Sequence, residues 1–294
     1  MNIERLSNNW RFALQNRLFL LILCAQLLPA QNKFTLPDTV EVKRDIVYAE
    51  YGAKKLLLDL YLPKSKTAGP IPGIVVIRGG GWRAGDKNAF APIAAGLAAR
   101  GFAAACIEYR VMPEFTIMDA VNDAKAAVRW MRAEGKGFGI RTDAIGAIGG
   151  SAGDHLVALL ATSFKAAALE GNGGHEGVSS RLQAVVAMAP VVDFAVMPKA
   201  VNGIFAGRAE LAKQLSPDTY LDKDAAPFLL IHSNADKTVP IAQSAEMLDR
   251  CKKLGVPAEL VTIDGAPHAF WNMPQWATET IDRSGRFFHS VLDR

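Results

Sequence analysis

Apolar residues in this chain fall into two patterns: short continuous runs, and longer stretches in which they recur every three or four positions. Ile74–Ile77, the largely apolar Ala103–Tyr109, the run from Ala144 that leads into Ser151, Ala184–Met188, Phe228–Ile231 and Leu260–Ile263 are of the first kind. Such runs predict strands buried on both faces. Ala91–Arg100, the series Ile117, Met118, Val121, Ala124, Val128 and Met131, and the segments Ala152–Thr162, Ile241–Lys253 and Trp276–Leu292 carry helical spacing. Two earlier segments, Asp45–Tyr51 and Lys55–Leu62, flank Gly52-Ala53 and read as an antiparallel hairpin. Strands alternating with helices imply an α/β architecture. The expected core is a mainly parallel, eight-stranded sheet, antiparallel only in its first two strands, with helices on both faces.

Two stretches lack strong periodicity. Residues 166–180 hold Gly171-Asn172-Gly173-Gly174 and read as a surface loop, and residues 194–224 show helical spacing only at Ala209–Gln214. An insertion that follows a strand's C-terminal end overhangs the ligand crevice of an open sheet, so 194–224 is expected to act as a small cap or pocket wall.

Composition narrows the class. The chain has 294 residues, 50% hydrophobic and 21% charged, which suits one large domain with no disulfide staple. Net charge is +4, of which Glu4, Arg5, Arg11 and Arg17 contribute +2, and there is neither a basic run nor a basic-aromatic stripe. A nucleic-acid partner is not expected. Arg11 and Arg17 precede the apolar stretch Leu18–Leu28, and Ala30 offers a small residue for cleavage. Residues 1–30 therefore read as a secretory signal, too short for a comfortable span. The expectation is an exported protein of residues 31–294 with no stable membrane association after cleavage, an uncleaved anchor or a buried helix being the alternatives. Cys106 and Cys251 are isolated small hydrophobes, and no Cys or His spacing resembles a metal site.

Candidate chemistry begins at Gly149-Gly150-Ser151-Ala152-Gly153, which joins an apolar run to a helix. A sharp strand-to-helix turn exposes a serine hydroxyl and aims a helix N-terminus at it, but the hydroxyl needs a base and an oxyanion site to react. Of the five histidines, His155 lies inside the following helix, His175 in the glycine-rich loop, His232 at a strand end and His289 in the last helix. His268 follows strand Leu260–Ile263 in a loop at the same sheet edge as Ser151, which makes it the candidate base. Asp236, after strand Phe228–Ile231, is the preferred acid, with Asp193 and Asp264 as strand-end alternatives. Arg78-Gly79-Gly80-Gly81-Trp82 follows strand Ile74–Ile77. Bare glycine amides there can approach a ligand closely, so Gly80, Gly81 and Trp82, with Ala152 across from them, are the candidate oxyanion donors.

These motifs, in this order, resemble the α/β-hydrolase superfamily. The resemblance is to its esterase branch: hormone-sensitive-lipase-like carboxylesterases and bifunctional acetylxylan/feruloyl-esterase-like proteins. It spans about residues 42–292 and includes Gly79–Trp82, Glu108-Tyr109-Arg110, Gly149–Gly153 with His155-Leu156, Asp236 with Val239-Pro240, and His268. It implies an α/β-hydrolase fold and ester hydrolysis through an acyl-enzyme on Ser151, with no metal and no organic cofactor. The implied substrates are short-chain or small aromatic acyl esters, with esterified plant carbohydrate as one source. An arylformamidase or a peptidase on the same triad, or a non-catalytic ligand-binding relative, are the rival readings. Two positions depart from the family pattern: Arg78 replaces its usual His, and Asp154 replaces its usual Gly. Arg78 either braces the turn or, with Trp82 and Asp154, meets the substrate. Asp154 otherwise complements the helix dipole.

Overall fold

The computed structural model describes residues 34–65, 68–198 and 203–294, so the expected signal at residues 1–30 lies outside the described residues. Within Leu36–Arg294, a compact unit, eight strands form one sheet: β1 (Val40–Tyr51), β2 (Lys54–Pro63), β3 (Ile71–Ile77), β4 (Ala103–Ile107), β5 (Ile140–Gly150), β6 (Ala184–Met188), β7 (Phe228–Ser233) and β8 (Ala258–Ile263). Their order is β1-β2-β4-β3-β5-β6-β7-β8. The β1/β2 and β2/β4 pairs are antiparallel and every other pair is parallel. This is the α/β-hydrolase fold.

The continuous apolar runs form strands because both faces are covered. The principal helices are α1 (Ala91–Ala98), α2 (Ile117–Glu134), α3 (Ala152–Thr162), α4 (Ala209–Gln214), α5 (Ala242–Leu254) and α6 (Pro274–Leu292). On one face, Val75, Ala147 and Val185 of the sheet pack with Val121 of α2, Leu156 of α3 and Met247 of α5. On the other, Ile74, Ile148 and Val186 pack with Ile93 of α1 and Phe288 of α6. Neighbouring residues of one strand thus serve opposite layers. Helix α2 starts at a capping box, in which Thr116 accepts from the Asp119 amide while the Asp119 carboxylate accepts from the Thr116 amide.

Strand and helix ends differ from the sequence reading in places. β1 starts at Val40 rather than Asp45, because register shifts between Lys43 and Ile46 and between Val47 and Ala49 break the two-residue alternation that marks a strand. β5 starts at Ile140, four residues early, since its polar first turn pairs with Ile71 and Pro72 before a shift into the buried register. Among its described residues, segment 194–224 carries α4 and two short 3-10 turns, Gly203–Phe205 and Pro217–Tyr220.

The chain lays down β3, moves outward to β4, then returns across β3 to β5. That reversal opens a crevice at the carboxyl ends of β3 and β5. The glycine-rich turn and Ser151 follow those two strands.

Candidate active site

Ser151 stands between β5 and α3 with φ 56° and ψ −119°, a conformation that a residue with a β-carbon holds only under constraint. The constraint is packing. A β-carbon at Gly153 would lie 2.1 Å from the Ile77 carbonyl oxygen, so the start of α3 presses directly on the end of β3. The Ser151 amide donates to the Met188 carbonyl (3.2 Å), tying the turn to β6. Helix α3 is buried along its whole length.

His268 Nε2 lies 2.9 Å from Ser151 Oγ, and His268 Nδ1 lies 2.7 Å from Asp236 Oδ2. The carboxylate accepts only, so Nδ1 carries the proton and Nε2 accepts from the Ser151 hydroxyl. Asp236 Oδ1 accepts from the amides of Thr238 (2.8 Å) and Val239 (3.0 Å). Burial alone would raise the Asp236 carboxyl. The hydrogen bonds from His232, His268 and those two amides outweigh it and hold the group well below the usual carboxylate range. The other two acids point elsewhere: Asp193 accepts from the Ala195 amide and Asp264 from Asn234. His175 sits beside Glu134, and His289 bonds Asp293 and the Arg100 carbonyl.

The glycine-rich turn lies against Ser151: a β-carbon at Gly79 would come within 3.2 Å of the Ser151 Cβ. Only glycine fits at position 80, where φ is 115° and a β-carbon would meet the Ala84 carbonyl at 1.9 Å. Three of the turn's carbonyls are matched. Gly80 accepts from the amides of Arg83 and Ala84, Trp82 accepts from Met112, and Gly79 accepts from Arg78 and Tyr109. The amides of Gly80, Gly81 and Trp82 donate to no group among the described residues. The Ala152 amide belongs to the first turn of α3, where amides have no intrahelical acceptor. The unmatched donors therefore come from both sides of the serine.

The three residues offered to the substrate, Arg78, Trp82 and Asp154, are all buried, and Arg78 takes its other reading, a brace of the turn. Arg78 is 4% exposed; its guanidinium donates to the carbonyls of Gly79 (2.9 Å) and Ala84 (2.6 Å) and stacks on Tyr109. It braces the turn from behind because those carbonyls need a donor. Asp154 is fully buried, and burial pushes its carboxyl well above the usual range, the Met188 amide pulling weakly the other way. With α3 covered on every side, a carboxyl in its first turn meets protein rather than solvent. The Trp82 side chain is buried too, against His155 and Phe194.

Two contributors were not assigned to the site from the sequence: His232, placed only at a strand end, and Trp271. His232 lies beneath the acid, with Nε2 3.0 Å from the Val239 carbonyl and 3.5 Å from Asp236 Oδ2, and Nδ1 2.8 Å from Ser244 Oγ. Trp271 stands edge-on to His268 at 5.5 Å between centroids and fills the space a side chain at Gly150 would need. The four-residue step from His232 to Asp236 was a visible signal; nothing local marked Trp271. No group of three or more His, Cys, Asp or Glu side chains gathers to hold a metal ion among the described residues.

Residues 58–251 match the family model described as BD-FAE. A probable carboxylic ester hydrolase, LipM, of Mycobacterium tuberculosis is 31% identical over 241 residues, 77% of this chain and 56% of the relative. The chain spans about half the length of the curated relatives it matches. Thermogutta terrifontis esterase 2 phosphonylated by sarin superposes with a TM-score of 0.77 at 28% identity, covering 88% of this chain and 97% of that one. A butyrate-bound structure of the same esterase gives 0.75 at 29% identity, over 86% and 94%. A truncated carbohydrate esterase from gut microbiota gives 0.77 at 26% identity, over 90% and 99%.

Proposed function

Because the chain belongs to the BD-FAE family of α/β-hydrolases, we propose that it is a carboxylic ester hydrolase that works through an acyl-enzyme on Ser151. The observation that carries this is the continuous chain from Ser151 Oγ to His268 to Asp236, at 2.9 and 2.7 Å, set against a turn in which the amides of Gly80, Gly81 and Trp82 donate to no group among the described residues.

The steps follow from the protonation states. Ser151 attacks the ester carbonyl while its proton passes to His268 Nε2. The imidazolium so formed is stabilised by Asp236, which the surrounding donors keep ionised. Negative charge developing on the carbonyl oxygen falls to the amides of Gly80, Gly81, Trp82 and Ala152; one such donor is worth about 3 kcal/mol of barrier. His268 returns its proton to the departing alcohol, giving the acyl-enzyme, and water repeats the sequence to release the acid.

Short-chain or small aromatic acyl esters are the proposed substrates, esterified plant carbohydrate among them. Segment 194–224 is modest in length, the esterase from Thermogutta terrifontis was solved with butyrate bound, and the gut relative is a carbohydrate esterase. Export remains a proposal from residues 1–30. The test is turnover of p-nitrophenyl acyl esters of increasing chain length, acetylated xylan and methyl ferulate. Hydrolysis should be greatest at short acyl chains and absent from Ser151→Ala. Activity rising with chain length would refute the substrate reading, and activity surviving Ser151→Ala would refute the mechanism.

A further inference from the structure

Trp82 is the only residue with a β-carbon that takes a left-handed conformation inside the glycine-rich turn, at φ 58°. Such a conformation persists where surroundings over-determine it. Here they do so through the indole. It is 4% exposed, and its Nε1 donates to His155 Nδ1 at 3.2 Å. The two rings meet edge to face at 5.4 Å, and Phe194 closes against both, at 5.5 Å from Trp82 and 4.9 Å from His155.

His155 is suited to hold that indole. An indole N–H can only donate, so its partner nitrogen must be unprotonated. The other ring nitrogen settles this: His155 Nε2 lies 2.6 Å from the Leu215 carbonyl oxygen, which only accepts, so Nε2 bears the proton and Nδ1 is free to accept. Burial pushes the ring down to about 4, which keeps it neutral and in this tautomer near pH 7. His155 also lies one helical turn after Ser151, and its amide donates to the Ser151 carbonyl at 3.1 Å. One imidazole thus bonds the turn that bears the spare amides, while its own backbone is bonded to the nucleophile.

We propose that His155 is a positioning residue that sets the place of the Gly80–Trp82 amides relative to Ser151. The inference rests on the ester-hydrolase reading above. Without the bond from Trp82, nothing polar on α3 fixes the left-handed end of the turn. The amides would then be held less closely to where charge develops, a displacement that weakens the transition state more than the bound substrate.

The test compares His155→Phe, which keeps a ring but neither nitrogen, with His155→Gln, which keeps an acceptor and a donor, and with Trp82→Phe, which keeps a smaller aromatic ring without the donor. Competent sites are counted by a fluorophosphonate titrant and kcat is expressed per titrated site, so misfolded protein does not count. With p-nitrophenyl butyrate, His155→Phe and Trp82→Phe should each lower kcat about 100-fold while KM stays within about threefold. His155→Gln should recover about tenfold, and the double Phe variant should be no worse than either single one. Should His155→Phe fold poorly, Trp82→Phe carries the same prediction. A kcat per site within about twofold of the parent in both Phe variants, or a loss confined to KM, overturns the inference. A parent protein that takes no titrant, or hydrolyses no ester, overturns the ester-hydrolase reading instead.

Discussion

His155 also makes a prediction about stability, independent of any substrate. Its ring is fully buried, and burial lowers it from 6.5 to about 4 against a weaker opposite pull from the Leu215 carbonyl. In the unfolded chain it takes a proton near 6.5. Between that value and about 4 the unfolded state binds more protons than the native one, so stability rises with pH across this window and falls as the solution is acidified. At 1.36 kcal/mol per pH unit, the gap amounts to about 3 kcal/mol. His155→Phe removes the titration but leaves the Trp82 Nε1 and the Leu215 carbonyl without partners, a loss of about 2–4 kcal/mol at neutral pH. The parent protein should therefore be clearly more stable than His155→Phe at pH 7.5, and the difference should shrink by about 3 kcal/mol by pH 4. Urea unfolding followed by tryptophan fluorescence across that range measures it, and the other histidines cancel in the comparison. A difference that stays constant within about 0.5 kcal/mol would falsify the reasoning, because the buried ring would then accept a proton as readily as the unfolded one.

Further predictions concern neighbouring residues. Asp236→Asn should lower kcat by about 10,000-fold with p-nitrophenyl butyrate, because an amide at that position favours the wrong His268 tautomer; a loss below about tenfold would mean that Asp236 does not orient the base. Asp154 runs opposite to His155. Its folded carboxyl is raised by burial, so the stability it contributes is present below the usual carboxylate value and is lost as pH climbs toward the raised one. Asp154→Asn should gain stability relative to the parent as pH increases from 4 to 9, read by urea midpoints; parallel curves would contradict this. Arg78→His should leave the ratio of rates on anionic and neutral esters unchanged while lowering the thermal midpoint, since the guanidinium serves the Gly79 and Ala84 carbonyls. A changed ratio would return Arg78 to the substrate.

Much of the architecture was legible because the parallel strands are buried on both faces and so read as unbroken apolar runs. Which strand ends carry Ser151, Asp236 and His268 followed from that pattern; it did not by itself separate Asp236 from Asp193 and Asp264, which also follow strands. The limits were physical. Bulges in β1 erased its alternation, so its first residues looked like loop. Asp154 read as a dipole-complementing or substrate-facing carboxylate, since nothing local shows that α3 is covered on every side. Arg78 could be read either as a brace of the turn or as charge for the substrate, because its acceptors are backbone carbonyls, which a sequence does not display. The His155 pairing joins residues 73 positions apart, and the Leu215 carbonyl that sets its tautomer comes from a segment with little periodicity. Chemistry carried by side chains at strand ends is readable; chemistry carried by the groups that hold them requires the packing.

The chemistry proposed for this site depends on Ser151 as the nucleophile of an ester hydrolase. Its most direct measurement is reaction with a fluorophosphonate, followed by mass spectrometry of the modified peptide and by assay of p-nitrophenyl butyrate hydrolysis on the same samples. One label per chain is expected, on Ser151, with activity falling in proportion to labelling and no label on Ser151→Ala. A label on another residue, or hydrolysis that persists when Ser151 is fully modified, would contradict it.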